Sequence, residues 1–202
     1  DNADQRLTGL GQARKLNHLW QAPFTLQPNI VEAIRAEAEI ARTGSKARIV
    51  AKMNSLVDMD MIQLLYQASQ AGVKVDLLIR GMCCLRPGVP GMSENIRVVS
   101  VVDRFLEHSR IYRFGADATT AEYLIGSADM MPRNLDRRVE AVTPVSDPRL
   151  CARLEEIITV ELDDDALAWS LAADGTWTRV PRGRGVSTHD VLAARARARA
   201  QA

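Results

Sequence analysis

The fold is decided by one stretch, residues 47–80, which reads ARIVAKMNSLVDMDMIQLLYQASQAGVKVDLLIR. Its first part, residues 47–53, is mostly apolar, which predicts a buried β-strand. Residues 59–71 place apolar side chains at helical spacing, and Gly72 is suited to end that helix. A second apolar strand follows at residues 73–80. This strand–helix–strand unit predicts parallel pairing with a right-handed crossover, and therefore an α/β fold.

Polar side chains lie where these two strands end. Lys52 and Asn54 are at the carboxyl end of the first strand, and Arg80 is at the carboxyl end of the second. The carboxyl ends of parallel strands meet at one edge of a sheet, and ligands of open α/β sheets bind there. We therefore expect these three residues to share one rim.

The rest of the chain predicts further helices and strands. A helix is expected between Pro28 and Gly44, and another from Asp147 and Pro148. Strands are expected at residues 96–102, 123–126 and 138–145, with a hairpin at residues 168–171 and 176–180. Residues 104–114 are interpreted as a turn leading into a strand, and residues 130–135 as a turn or helical stub. A final helix, rich in alanine and arginine, starts near Ser187, and we expect His189 to face solvent there.

Composition limits the classes of function. The 202 residues carry a formal net charge of +1, which argues against a nucleic-acid coat or a polybasic membrane patch. No apolar run approaches the ~20 residues that span a bilayer, and no signal segment opens the chain. The three cysteines, including the vicinal pair Cys83 and Cys84, do not suit a disulfide framework. We expect a cytoplasmic location, with association with a membrane left open.

Arginines dominate residues 80–138, which contain nine of them, no lysine and one histidine. A guanidinium group presents a planar fork of donors that fits phosphate oxygens two at a time. The same stretch contains seven acidic residues, so it is not a bulk positive field. It predicts a fitted pocket for several phosphates. The alternative is that most of these arginines are solvated or paired with the acids.

One short motif adds chemistry to this stretch. If residues 108–110 are extended, His108 and Arg110 lie on the same face and address one ligand. A proton-transfer group beside a phosphate clamp suits phosphoryl chemistry. Downstream, Gly126-Ser127-Ala128-Asp129 supplies small residues where the backbone could approach a ligand closely.

The two motifs together resemble the signature of the phospholipase D superfamily. That signature has His-x-Lys followed by Gly-Ser and usually Asn. Here Arg110 stands in place of the lysine and Asp129 in place of the asparagine.

These departures fit one branch, because residues 8–180 resemble the C-terminal part of bacterial polyphosphate kinase. The segments that carry the resemblance are APFTL, ARIVAKMNSLVD, LYQASQAGVKVDLLIRGMCCLRPGVPGMSENIRV, RFLEHSRI and GSADMMPRNLDRRVE. Two differences are Asp103, where glycine is expected, and Met130, where tryptophan is expected.

The resemblance implies a fold and an activity. The fold would be a phospholipase D-like mixed β-sheet flanked by helices, with a C-terminal helical tail. The whole enzyme would transfer the terminal phosphoryl group of ATP to inorganic polyphosphate, reversibly, through a phosphohistidine in the preceding domain. Arg80 would bind nucleotide phosphates, and His108 would be the second active-site histidine, moving a proton or holding the transferring group. Mg²⁺ would be held mainly by the phosphates and by residues outside this chain, with no metal ligand assigned here.

Rim position and charge, not the resemblance, extend the candidate site. The added ATP- or phosphate-binding candidates are Lys52, Asn54, Arg110, Arg133 and Arg137.

The motif count predicts half of an active site. A phosphohistidine mechanism in this superfamily needs two facing half-sites, and the chain holds one His-x-Arg and one Gly-Ser-x-Asp. His18 and His189 lie outside any such motif. We therefore interpret residues 1–22 as the tail of a preceding catalytic domain, residues 23–182 as the C-terminal catalytic domain, and residues 183–202 as a helical or disordered tail. The chain starts at Asp1 rather than methionine, which also suggests a fragment, inactive by itself.

Its expected partners are ATP or ADP, polyphosphate, the remaining domains of the same enzyme and further copies in a homo-oligomer, but no nucleic acid. Two alternatives stay open: a phospholipase D-like phosphodiesterase made by dimerisation, and a non-catalytic module that binds polyphosphate or nucleotide.

Overall fold

Nine strands form one sheet in the computed structural model, which describes residues 18–201. The strands are β1 Trp20–Ala22, β2 Arg48–Met53, β3 Lys74–Ile79, β4 Ile96–Val101, β5 Arg110–Phe114, β6 Glu122–Gly126, β7 Glu140–Val145, β8 Ala168–Leu171 and β9 Trp177–Arg179. The helices are α1 Leu26–Arg42, α2 Met59–Gln70, α3 Pro148–Leu162 and α4 Thr188–Ala200. A π-helical turn spans Arg133–Arg137.

The strand order is β1-β7-β6-β5-β2-β3-β4-β8-β9. The pairs β2–β3 and β3–β4 are parallel, and the other pairs are antiparallel. The expected parallel unit β2–α2–β3 is therefore confirmed, as is the mixed sheet flanked by helices with a C-terminal helix.

Strand β2 shows why the sheet is covered on both faces. Successive side chains of a strand point to opposite faces. Ile49 and Ala51 enter the main core, which α1 and α2 help to build. Val50 points the other way, into a second core with Ile158 of α3. Burial on both faces explains why the strand is a nearly continuous apolar run and does not alternate with polar residues.

Strand directions bring many chain ends to one edge of the sheet, which we call the site edge. Strands β2, β3 and β4 run together, and β6 shares their direction because both β2 and β6 pair antiparallel with β5. The carboxyl ends of these four strands lie at the site edge. Strands β5 and β7 run the opposite way, so they begin there.

Backbone hydrogen bonds join the segments that follow β2, β3 and β6. Leu56 donates its N–H to the carbonyl of Met82 (2.9 Å) and accepts from the N–H of Cys84 (2.9 Å). On its other side, the N–H of Val57 donates to the carbonyl of Met130 (3.0 Å). These bonds hold three connecting segments together as the floor of the site edge.

Near the two ends of the described residues, the structure shows a strand pairing and a buried histidine that the sequence does not predict. Strand β1 pairs with β7, although it lies before the predicted boundary at residue 22; residues 1–17 of the predicted tail lie outside the described residues. The prediction that His189 faces solvent was wrong, because the residue is only 3% exposed and its ring lies 5.2 Å from that of Phe105. Within residues 18–201, no helix combines the length and apolar character that crossing a bilayer requires.

Candidate active site at the edge of the sheet

Six of the seven predicted site residues lie in segments that start or end at the site edge. Asn54 follows β2, Arg80 follows β3, His108 precedes β5 and Arg110 is its first residue. Arg133 and Arg137 are the first and last residues of the π-helical turn that connects β6 to β7. The topology therefore brings these residues to one side of the molecule, as the rim argument predicts.

Asp129 organises the centre of this edge. Its two carboxylate oxygens accept from Nε and an Nη of Arg110, each at 3.1 Å. One of these oxygens also accepts from the backbone N–H of Asn54 at 2.8 Å. Both charged side chains are nearly buried, at 11% exposed for Arg110 and 7% for Asp129. A bidentate, buried pair of this kind fixes geometry as well as charge.

Arg110 also holds the backbone next to the histidine of the motif. Its other Nη donates to the carbonyl of His108 at 2.9 Å. Strand β5 begins at Arg110 and His108 lies in the loop before it, so the two residues do not share a regular strand, while the expected turn leading into a strand is confirmed. The imidazole of His108 is exposed and has no hydrogen-bond partner among residues 18–201. It is thus open to a ligand that arrives at the site edge.

The nine arginines of residues 80–138 differ in whether they form ion pairs with acids in the described part of the chain. Four form ion pairs with acids: Arg97, Arg104, Arg110 and Arg113. The candidates Arg80, Arg133 and Arg137 form no ion pair with any acid in the described part of the chain; Arg80 is half-buried and the other two are exposed. Neither of the two interpretations of these arginines holds for all of them. Three guanidinium groups at the site edge have no counter-charge.

Lys52 lies beneath the edge. Position 52 is on the same face of β2 as Val50, so its side chain points towards α3. Its ammonium lies 3.3 Å from Glu107 and 3.3 Å from Glu161 of α3, and the side chain is 4% exposed. Burial raises the pKa of Glu161 to about 7, against the opposing effect of the Lys52 charge. Phosphate binding by Lys52 stays a prediction; the contact that the structure provides is support for Glu107, the neighbour of His108.

The Gly126-Ser127 motif has a structural explanation in the neighbouring strand. A Cβ atom at Gly126 would lie 2.6 Å from a methyl of Val142 in β7. The hydroxyl of Ser127 donates to Glu140, which also accepts from the side chain of Asn134 in the π-helical turn. The motif therefore connects β6, β7 and the turn that carries Arg133 and Arg137.

The described residues do not form a metal site. No group of three or more histidine, cysteine or acidic side chains within residues 18–201 is placed to hold an ion. The carboxylates nearest the edge already have partners: Glu107 contacts Lys52, Asp129 contacts Arg110, and Glu140 accepts from Ser127. These three carboxylates are therefore each engaged by another side chain of the chain.

Comparison with solved structures defines the class of fold. The phospholipase D family member Nuc from Salmonella typhimurium superposes with a TM-score of 0.54 over 72% of this chain and 92% of its own, at 15% identity. The chain thus has a phospholipase D-like fold. Polyphosphate kinase from Porphyromonas gingivalis superposes with a TM-score of 0.91 and 33% identity, over 98% of this chain and 31% of its own.

Sequence comparison gives the family. The polyphosphate kinase of Thermosynechococcus vestitus is 51% identical over 192 residues, 94% of this chain, and that of Burkholderia multivorans is 54% identical over 183 residues, 90% of it. The family described as polyphosphate kinase C-terminal domain 2 matches residues 19–190, and the chain belongs to it. This confirms the resemblance found in the sequence. The chain spans about a quarter of the length of these relatives, 26% in each case.

Proposed function

We propose that this chain is the C-terminal catalytic part of a polyphosphate kinase that transfers the terminal phosphoryl group of ATP to inorganic polyphosphate, reversibly. The family match and the share of the relatives that the chain covers support the assignment. The observation that carries it is the open imidazole of His108 at the same edge as the unpaired Arg80, Arg133 and Arg137. Phosphoryl transfer needs positioned positive charge around the moving group more than it needs covalent chemistry from the protein.

The proposed roles follow from which groups have partners. Arg80, Arg133 and Arg137 bind phosphate oxygens, since a guanidinium without an acid can offer its fork to a ligand. His108 moves a proton or holds the transferring group, because its imidazole is exposed and has no hydrogen-bond partner within residues 18–201. Arg110 and Asn54 border the same ligand, and their bonds to Asp129 keep the edge in shape.

A phosphohistidine step would be completed by the preceding domain. In that step the bond from the γ-phosphorus of ATP to its bridging oxygen breaks, ADP leaves, and a bond to the histidine nitrogen forms; a terminal polyphosphate oxygen then displaces the histidine. Four apolar side chains are each more than half exposed: Val102, Phe105, Leu106 and Val139. In this proposal the preceding domain packs against them. By itself the chain is then inactive. Mg²⁺ is proposed to be held by the phosphates and by residues outside this chain.

The test is His108→Ala in the whole enzyme that contains this chain, with His18→Ala as the matched control, since His18 is exposed and outside the motif. Loss of a proton-transfer group lowers the rate by about 10²–10⁴-fold. A loss of under tenfold, or an equal loss in the control, contradicts the catalytic role. Full activity in His108→Ala favours a module that only binds polyphosphate or nucleotide, and hydrolysis of a phosphodiester by this chain alone favours the dimeric phosphodiesterase.

A further inference from the structure

The loop of residues 102–109, which we call the His108 loop, connects β4 to β5 and carries His108. Its ends are fixed by the sheet, but its middle is held by α4 of the C-terminal segment. The contacts come from two consecutive residues at the start of α4, His189 and Asp190. The catalytic role proposed for His108 does not involve this helix.

His189 makes the central contact. Its Nδ1 accepts from the backbone N–H of Phe105 at 3.2 Å, and Asp103 lies 3.3 Å from the same nitrogen. Its Nε2 faces a carboxylate oxygen of Glu107 at 3.5 Å, without the alignment of a full hydrogen bond. The ring is 1% exposed and packs beside Phe105. One imidazole thus contacts three residues of the loop.

Glu107 lies between His189 and strand β2. One of its carboxylate oxygens is 3.5 Å from Nε2 of His189. The other oxygen of Glu107 lies 3.3 Å from Lys52. Glu107 is therefore held between β2 and α4, and it is the residue directly before His108.

The helix that makes these contacts is itself anchored elsewhere. The N–H of Thr188 donates to Asp164 at 2.7 Å, and Arg195 donates to Glu156 of α3 at 2.7 Å. Neither bond involves the His108 loop. Asp190 adds a second contact with the loop, through Arg104 at 2.6 Å. A helix fixed to α3 and to the segment after it can hold the loop in one position.

We propose that His189 is a positioning residue that clamps the His108 loop to α4 and so sets the place of the His108 imidazole. The catalytic consequence rests on the function proposed above. The clamp itself does not, because the order of the loop can be measured without any reaction.

The experiment compares His189→Ala, His189→Asn and Arg197→Ala in the whole enzyme. Asparagine keeps an acceptor for the N–H of Phe105, and the exposed Arg197 is on the same helix without contacting the loop. The rate of hydrogen exchange in the peptide that covers residues 102–109 measures how firmly the loop is held. The values of kcat and of KM for ATP measure the effect on catalysis. Asp190→Ala breaks only an exposed pair, so it tests the same loop where folding is not at risk.

For His189→Ala we expect exchange in the loop to be about fivefold to tenfold faster, as the loss of one hydrogen bond allows. Misplacement of a catalytic group by about 1 Å can cost up to 10²-fold, so kcat should fall about tenfold to hundredfold with little change in KM. His189→Asn should keep most of the slow exchange and most of the kcat of the wild type. Asp190→Ala should speed exchange to a smaller extent than His189→Ala, and Arg197→Ala should change neither the exchange rate nor kcat.

Unchanged exchange in His189→Ala and Asp190→Ala overturns the clamp. Faster exchange with unchanged kcat overturns the positioning role. If His108→Ala is itself fully active, the proposed function fails while the exchange result still decides whether the clamp exists.

Discussion

Arg110 and Asp129 form a bidentate ion pair at the start of β5, with both oxygens of the carboxylate 3.1 Å from nitrogens of the guanidinium. The pair replaces the lysine and asparagine of the phospholipase D signature with two residues that bind each other. It positions the carbonyl of His108 and the backbone of Asn54 through the same two side chains. The geometry of the site edge therefore depends on a nearly buried charge pair at its centre.

Removing one partner of this pair should be costly. Asp129→Ala leaves the guanidinium of Arg110 buried without its counter-charge, and the free energy of unfolding should fall by about 3–5 kcal/mol in urea unfolding of the chain. Glu39→Ala is the control, because it removes the acid of an exposed pair with Arg42, worth about 0–1 kcal/mol. Equal losses in the two variants would show that the buried pair contributes no more to the free energy of unfolding than the exposed pair does.

Arg80 should matter for nucleotide binding more than other arginines of the same region. A charge-assisted hydrogen bond contributes about 1.5–3 kcal/mol, so Arg80→Ala should weaken ATP binding about tenfold to hundredfold. Saturation kinetics of the whole enzyme measure this. Arg86→Ala is the control, since Arg86 donates to the carbonyl of Ala173 near the β8–β9 hairpin. An unchanged KM and kcat in Arg80→Ala would show that Arg80 does not bind the nucleotide.

Glu161 should make stability depend on pH. Burial raises its pKa to about 7 in the folded chain, above the ordinary value of 4.5. A raised pKa stabilises the folded state fully below pH 4.5, and this contribution is lost as the pH rises through 7. The free energy of unfolding of Glu161→Gln, relative to that of the wild type, should therefore rise by about 2–3 kcal/mol between pH 4.5 and pH 8.

Urea unfolding at several pH values measures that gain. Arg197→Ala is the control, since an arginine does not titrate in this range and its difference from wild type should stay constant. A Glu161→Gln difference that is equally constant would mean that the carboxyl is not perturbed.

Substitution of Gly126 should destabilise the fold, because a side chain there would clash with strand β7. A Cβ atom there would lie 2.6 Å from a methyl of Val142, and overpacking of this kind costs about 1–3 kcal/mol. Thermal or urea unfolding of Gly126→Ala measures the loss. At Gly183 the nearest atom to a new Cβ is a carboxylate oxygen of Asp165 at 3.3 Å, so Gly183→Ala should lose clearly less. Similar losses at both positions would contradict the packing explanation.

Local patterns in the sequence were enough to predict much of the fold. The apolar period of residues 47–80 predicts β2, α2 and β3, because each element is a local pattern, and the helix that connects the two strands predicts their parallel pairing. The hairpin β8–β9 is likewise a local pattern, since its two strands flank the turn residues Asp174 and Gly175. Strand directions alone place Asn54 and Arg80 together at the site edge, because these residues follow the parallel strands β2 and β3.

Contacts between residues distant in sequence were beyond such reasoning. The burial of His189 depends on the packing of α4 against a loop far earlier in the chain, and its sequence neighbours gave no sign of it. The position of Lys52 near the end of β2 predicts that it lies at the rim. Strand alternation instead points its side chain towards α3, where it contacts Glu161. The start of β5 at Arg110 was missed because residues 106–109 have no clear period.

In the proposed function, His108 and the arginines without ion-pair partners surround one anion. Imidazole NMR of the chain during titration with inorganic tripolyphosphate tests it directly, since the chain has three histidines, His18, His108 and His189. We predict a saturable shift of the His108 resonances, with the His18 resonances unaffected. Arg80→Ala should weaken the affinity read from that shift at least tenfold, which corresponds to about 1.4 kcal/mol. His108 resonances that do not move while tripolyphosphate binds, or that move equally in Arg80→Ala, would contradict it.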